Sequence, residues 1–318
     1  MRTSYRWISV LLVIMGGMVF LNSHYMGVAY SIWDGEDTDA CFSVLTYNVN
    51  ALDTLTFTEQ RQQEFLELIK AEHPDILCLQ ELSPACYEKV KARLDSIYGH
   101  PDFSCLSGTL NNFRLYSRFP MRNLKDYQCQ GEIKTDDMDS LSLVDYKNRF
   151  IVMPLRSAEF EVEPGRWVTV FSGHLRSSAY STARRSMDRK SSWMGGLPLY
   201  WCNYKIGKRI RDFEARNVRR FVDEARANGN TVIMAGDLND WCGSDCLETL
   251  MGNDLKDAWW EGGRGFGWTY FGWHLRLRID HILYSDELQL TDVKVVDSDL
   301  SDHKPLKATF SWKEQNND

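Results

Sequence analysis

Short apolar runs rich in β-branched residues recur along the chain, and each stops on a polar side chain, as buried strands do when they end at one edge of a sheet. The first runs from Cys41 to Tyr47 and stops on Asn48. A polar stretch leads to Thr56, which with Glu59 fits a capping box; Phe65, Leu66 and Ile69 give the following helix an apolar stripe, and His73-Pro74 ends it. Asp75 to Leu79 reads as a buried strand delivering Gln80 and Glu81. The same order returns downstream: Trp167 to Phe171 is a strand ending near His174, a helix starts at about Arg211 and closes at Asn228-Gly229, and Thr231 to Ala235 delivers Asp237. Asn48 and Glu81 are 33 residues apart, whereas His174 and Asp237 are 63 apart. The excess falls mostly after His174, which marks an insertion carrying Tyr180, Trp193, Tyr200, Trp201 and Tyr204 on a duplicated strand-helix-strand plan. Two more strands are expected, one around Arg278 to Tyr284 containing Asp280 and one at Leu306 to Trp312, preceded by Ser301-Asp302-His303. Gly262, Gly263, Gly265 and Gly267 predict a flexible loop before them. Lacking a strand-to-helix context, this GGRGFG stretch reads as a turn and not as a nucleotide-binding fingerprint.

Ahead of the first strand, Arg2 and Arg6 flank an apolar run from Trp7 to Leu21 broken only by Ser9, Gly16 and Gly17. A charged flank before a dense apolar block suits an export signal or short anchor better than an ordinary buried helix. At 15 residues the run is shorter than the ~20 that cross hydrocarbon comfortably, so a cleaved signal and a retained anchor both stand. Ala29, with Gly27 before it, offers a weak cleavage position. Residues 1–33 are expected to be this segment, with membrane association through residues 7–21, and residues 40–313 one folded domain, exported or anchored outside the cytoplasm. At 43% hydrophobic and 13% aromatic content, 318 residues suffice for a sizeable core and exclude intrinsic disorder.

A net charge of −7 excludes coating of nucleic acid by bulk charge. The charge is uneven, however, because Arg176 to Arg220 holds 12 basic residues against 3 acidic ones. The eight cysteines form no close CxxC pair, which argues against structural zinc. Cys78 lies in an apolar run and reads as core, while Cys242 and Cys246 flank a turn-like Gly-Ser-Asp and are candidates for a small disulfide loop.

Six polar positions sit at or next to strand runs: Asn48, Glu81, His174, Asp237, Asp280 and His303. Together they supply what phosphoester cleavage needs, namely hard oxygen ligands suited to Mg²⁺ or Mn²⁺, a proton acceptor and groups that stabilise a leaving oxygen. No G-x-S-x-G or similar nucleophile arrangement is present, so water is the expected nucleophile. The segments LTYNVN, LQEL, LYSRFP, FSGHLRSS, MAGDLND, RIDHILYS and LSDHKPL, in order from Phe42 to Trp312, resemble the endonuclease/exonuclease/phosphatase superfamily. That group includes pancreatic-type deoxyribonucleases, abasic-site endonucleases, neutral sphingomyelinases and inositol polyphosphate 5-phosphatases.

The resemblance implies an α/β fold, a four-layer sandwich of two mixed β-sheets flanked by helices, and divalent-metal-dependent hydrolysis of a phosphodiester in a nucleic acid or phospholipid head group by a monomer. The alternatives are a phosphomonoesterase on inositol or sugar phosphates and a non-catalytic polyanion-binding module. The resemblance makes Glu81 the main metal ligand, with Asn48 and Asp302 beside it. It makes His303 the general base held by Asp280, Asp237 the group that orients water, and His174 and Asn239 donors to phosphate oxygens. Arg118 of the Ser117-Arg118-Pro120 turn, Arg176, Arg184 and Arg185 are expected to bind substrate. One departure stands out: deoxyribonuclease members pair the first histidine with an acid just before the strand leading to that turn, and this chain reads Asn111-Asn112-Phe113 there.

Overall fold

Alternation along each strand decides which layer a side chain joins. In the computed structural model, which describes residues 29–30, 42–99, 112–127, 155–177, 197–272 and 276–313, β1 is Ala29–Tyr30 and β2 is Phe42–Ala51. Phe42 and Val44 of β2 face one apolar cluster, while Leu45, Tyr47 and Val49 face another. Helix α1 (Glu59–Glu72), β3 (Ile76–Leu82) and α2 (Pro84–Tyr98) follow, then β4 (Arg114–Ser117), β5 (Met121–Tyr127), β6 (Leu155–Glu163) and β7 (Arg166–His174). After α3 (Leu197–Ala227) and β8 (Thr231–Asp237) come α4 (Asp245–Met251), β9 (Leu255–Asp257), α5 (Ala258–Gly262) and β10 (Arg264–Gly265). The chain closes with β11 (Asp280–Ser285), β12 (Leu288–Val295) and β13 (Leu306–Trp312).

Two mixed sheets result, ordered β12-β13-β2-β3-β4 and β5-β6-β7-β8-β11-β9. The only parallel pairs among the described strands are β2 with β3 and β7 with β8, the two strand-helix-strand units of the sequence. Phe42, Val44, Ile76, Val170, Ile233, Ile282 and Phe310 fill the layer between the sheets. Helices α1 and α2 cover the outer face of the first sheet through Phe65, Ile69, Val90 and Leu94. Helices α3 and α4 cover the second through Val218, Val222, Leu247 and Leu250. The expected four-layer sandwich of helix, sheet, sheet and helix is therefore the architecture of the chain.

Several local expectations need correction. Thr58, not Thr56, caps α1 by accepting from the Arg61 N–H, a contact of about 1 kcal/mol. Thr56 instead donates to the Asp53 carbonyl and closes a turn. Helix α3 begins at Leu197, well before Arg211, because the second half of the basic insertion is helical. Cys242 and Cys246 are free thiols, with Cys246 turned by α4 into the outer core. The glycine-rich stretch is seated rather than loose: a Cβ on Gly263 or Gly267 would lie 2.4 or 2.2 Å from the Trp259 indole, so glycine lets the backbone rest on that ring. The apolar run 7–21, Tyr180 and Trp193 lie outside the described residues. No helix among the described residues is long and apolar enough to cross a membrane.

Glu214 on α3 is buried, and its Oε2 accepts from the Arg176 N–H at 2.7 Å. Burial pushes its carboxyl up to about 7 against the opposing pull of Arg176 and Arg211. A carboxyl that holds its proton more tightly when folded costs stability as pH rises from the unfolded value towards 7, at about 1.4 kcal/mol per pH unit. Glu214→Gln is therefore expected to be more stable than the parent by up to about 3 kcal/mol at pH 8, with the gain vanishing near pH 4.5. Urea denaturation across that range checks this, and a pH-independent difference would contradict it.

Candidate active site

The inner faces of both sheets change from apolar to polar at the same end. Inward positions run Val44, Thr46, Asn48 along β2 and Ile76, Cys78, Gln80 along β3. They run Val170, Ser172, His174 along β7, Ile233, Ala235, Asp237 along β8 and, in reverse, Tyr284, Ile282, Asp280 along β11. Strand register sets His174 opposite Asp237 and Asp237 opposite Asp280, one row across three strands. Gly173 and Gly236 precede the first two, and a Cβ on Gly236 would lie 1.9 Å from the Gly173 carbonyl oxygen, so this alignment requires glycine.

Glu81 breaks the alternation. Following inward Gln80, it belongs by parity with Leu77 and Leu79 on the helix side, but a φ of 54° redirects it. A left-handed backbone costs on the order of 1–2 kcal/mol for a residue with a Cβ. Here it brings Glu81 Oε1 to 3.1 Å from Asn48 Nδ2.

Asn48 Nδ2 also donates to Asp237 Oδ2 at 2.9 Å across the gap between the sheets. His174 Nε2 lies 3.6 Å from Glu81 Oε1 and 3.5 Å from Asp237 Oδ2. His303 Nδ1 lies 2.8 Å from Asp280 Oδ2, and its Nε2 lies 3.7 Å from Asp237 Oδ2. Asp237 is almost fully buried while His174 and Glu81 are partly open, so solvent reaches the cluster past those two. Burial pushes the Asp237 carboxyl up and Asp280 adds to the rise, against the pull of His303, His174 and the Asn48 amide. Burial alone would lower His303, but Asp280 and Asp237 outweigh it and hold the imidazolium up to about 10. His303 binds its proton more tightly than in water because two carboxylates face it, whereas Asp237 does so chiefly because it is buried.

Such a field suits a cation. Glu81, His174 and Asp237 place one donor atom each within 4.8 Å of one another, as do Asp237, Asp280 and His303. Asp280 Oδ1 is buried without a hydrogen-bond partner. The carboxylate-rich donor set fits a hard divalent ion. Asn48 would join through its Oδ1, which accepts from the Asn50 N–H at 3.0 Å.

The remaining expected residues divide. Asp302 stays outside both clusters: its Oδ1 accepts from Asn50 Nδ2 at 2.9 Å, and it is linked to Asn48 through Asn50, whose N–H bonds Asn48 Oδ1, and through Ser301, whose Oγ donates to the Asn48 carbonyl. Asn239 commits one amide hydrogen to the Leu175 carbonyl, with its N–H on Asp237 Oδ1, so it shapes the loop as well as facing the cluster. Arg176 is exposed two residues past His174, its backbone pinned by Glu214 and by Arg211 Nη1. Arg118 lies at the wrong end. Ser117 pairs with Ile76, and Arg118 meets Asp75 and His73, six residues or about 20 Å of strand from Glu81. Arg184 and Arg185 lie outside the described residues. In place of the absent acid, the Phe113 ring lies 6.2 Å from the His174 ring.

Sequence reasoning missed a supporting network. His281 alternates away from Asp280 and sets Nε2 3.0 Å from the Asp240 carbonyl and Nδ1 2.7 Å from Asp257 Oδ2. Arg278 donates to both oxygens of Asp257, and Arg211 Nε donates to Asp240 Oδ2 at 2.9 Å. These groups fix the loop after Asp237 from behind. Thr269 Oγ1 accepts from the Asp280 N–H, and the Tyr270 ring stands 5.0 Å from that of His303. The signal available was the polar pair Asp257 and Arg278 in otherwise apolar, buried stretches.

A sequence profile of the Endonuclease/Exonuclease/phosphatase family matches residues 45–303. Among solved structures, D. rerio TDP2 complexed with a single-strand DNA product is similar, with 18% identity over 85% of this chain and 98% of that one, at a TM-score of 0.60. The human Nocturnin catalytic domain shares 19% identity over 86% and 93% of the two chains, at 0.55. Sphingomyelinase C from Streptomyces griseocarneus shares 17% over 86% and 99%, at 0.53. No curated protein matches in sequence.

Asp257 neutralises a buried guanidinium, so its loss strands a charge. Asp257→Asn is expected to lower stability by about 3–5 kcal/mol. Equilibrium unfolding in urea reads this directly, and a change below about 1 kcal/mol would show that Arg278 finds another partner.

Proposed function

The chain belongs to the endonuclease/exonuclease/phosphatase family, and on that premise we propose that it is a divalent-metal-dependent phosphoesterase that cleaves a phosphodiester by direct attack of water. The observation that carries this reading is the row His174, Asp237, Asp280 facing Asn48 and Glu81 across the gap between the sheets.

Glu81, with Asp237 and the Asn48 amide oxygen, would hold Mg²⁺ or Mn²⁺, which when bound draws electron density from the phosphoryl oxygens and stabilises the departing one. Asp280 accepts the Nδ1 hydrogen of His303 and fixes the tautomer whose Nε2 faces Asp237. A water beside Asp237 Oδ2 and His303 Nε2 is oriented by the first; the second, an imidazolium while Asp280 and Asp237 are uncompensated, accepts the water's proton only in the neutral form it gains once those carboxylates are offset. His174, open to solvent on the other side of Asp237, donates to a phosphate oxygen and supplies a proton to the leaving oxygen. Asn239 adds its second amide hydrogen to the phosphate, and Arg176 offers a cation at the mouth. The substrate is a nuclease-type or phospholipid head-group diester, acted on outside the cytoplasm.

His303→Ala and Asp237→Asn are expected to lose at least ~100-fold in turnover while folding normally, the scale of removing a general acid-base group. Glu81→Gln should in addition weaken Mn²⁺ binding measured by calorimetry. A panel of plasmid DNA, RNA, sphingomyelin and inositol and sugar phosphates, run with Mg²⁺ and with chelator, identifies the ester; hydrolysis of monoesters alone would replace the diester reading, and near-parental rates in all three variants would dismantle the site.

Replacing Arg184 and Arg185 by Ser is expected to raise KM with little change in kcat, since charge that only binds substrate acts equally on ground and transition states. Steady-state kinetics on the identified ester decides, and a fall in kcat alone contradicts it.

A further inference from the structure

From Gly262 to Ile279 the chain holds five aromatic residues, three arginines and no acid, although its net charge is −7. The Phe266 and Trp268 rings stack at 4.6 Å, and the Arg276 guanidinium lies 5.2 Å from the Trp268 ring and 5.9 Å from that of Phe271. Phe271 is exposed, and Phe266 and Trp268 are half-buried. Stacking on a ring leaves a guanidinium its full charge. The Phe271 N–H donates to the Asp302 carbonyl at 2.7 Å, and Tyr270 stands against His303, so the segment carrying the three rings runs out from one side of the site.

An independent observation concerns the start of the chain. Strand β1 pairs with β10, Ala29 opposite Gly265 and Tyr30 opposite Arg264, immediately before Phe266. The N-terminal segment is thus tied down at the root of the aromatic rim. From Leu21, where the apolar run ends, to Ala29 is eight residues, which span at most about 28 Å when extended.

We propose that β1 is a strap that holds the rim formed by Phe266, Trp268 and Phe271 against a lipid surface, with Arg264 and Arg276 facing anionic head groups. The apolar run is short for a membrane span, and stable attachment to a bilayer takes two contacts. The rim supplies the second, because the Trp268 indole with its N–H settles at head-group depth, the Phe266 and Phe271 rings enter the acyl boundary, and arginine adds attraction to anionic lipid. The inference rests on the phosphoesterase reading and narrows its substrate to a phosphoester presented at a lipid surface, where the strap brings the site within reach.

The test is hydrogen exchange of the full chain on phosphatidylcholine vesicles containing phosphatidylglycerol, compared with the full chain in non-ionic micelles. Amides of residues 264–276 are expected to slow on vesicles while those of α3 do not change. The double variant Phe266→Asp/Phe271→Asp should lose this protection and hydrolyse vesicle-borne phospholipid at least about tenfold more slowly, because the carboxylates that replace the rings do not enter the interface. Its turnover on soluble bis(4-nitrophenyl) phosphate should stay within about twofold of the parent, the pattern expected when only surface binding is lost. Unchanged exchange at 264–276 with residues 1–28 protected overturns the strap and leaves the phosphoesterase standing. Protection by a single-stranded oligonucleotide in place of vesicles assigns the rim to nucleic acid and overturns it as well. A parent chain inert on the soluble diester with Mg²⁺ overturns the underlying reading instead.

Discussion

Three carboxylates and two imidazoles crowd the polar end of an otherwise apolar layer, and they coexist only because each is held by a partner of opposite character. Like charges this close ionise only at a cost: Asp280 adds to the upward push that burial gives the Asp237 carboxyl, while the two carboxylates facing His303 hold its proton on. A proton relieves it, and so does a cation. Between the acids sits Asn48, whose amide bonds Glu81 and Asp237 at once and so joins the two sheets through a neutral group. The same negative field makes the site competent to draw in a hard ion.

Holding that cluster in place is costly, and the surrounding structure is shaped by it. Glu81 adopts a left-handed backbone, Gly236 gives up a side chain so that its strand can lie against Gly173, and Asn239 is also left-handed beyond Asp237. Local departures of this kind persist only where the neighbourhood over-determines them. Behind the loop, Asp257, Arg278 and His281 form a buried ion network whose exposed equivalent would contribute little. Its value lies in rigidity, since Nε2 of His281 reaches the Asp240 carbonyl and fixes the chain that carries Asp237 and Asn239.

Much of this was legible before any coordinates, because period-two alternation of a buried strand is written in its residues. The ends Asn48, His174, Asp237 and Asp280 follow from it directly. Glu81 was marked by its place at the end of a strand run and given its ligand role by resemblance, but it lay on the wrong face by parity, since a φ reversal leaves no mark in an ordinary glutamate. Arg118 failed for a different reason: the turn that carries it does exist, but antiparallel pairing of β4 with β3 returns it to the edge opposite the site. The glycine run misled because glycine serves close packing as readily as freedom, and the indole of Trp259 that demands it precedes the run in sequence. The His281 network left only the polar pair Asp257 and Arg278 as a sign, because its members come from separated segments and none ends a strand at the site.

The basic segment shows how a charge count misleads without geometry. Lys208 bonds Asp212 and Asp245, Arg211 bonds Asp240, and Arg219 bonds Asp223, Asp254 and the carbonyl that ends α4. These cations fasten α3 to α4 and to the loop behind Asp237, and in doing so spend field that the sequence had offered to a polyanion. Of the basic residues in this segment, Lys208, Arg211 and Arg219 are thus engaged in structure and not offered to substrate. Cations held in such pairs leave the negative field of Glu81, Asp237 and Asp280, which suits a hard ion, largely uncancelled.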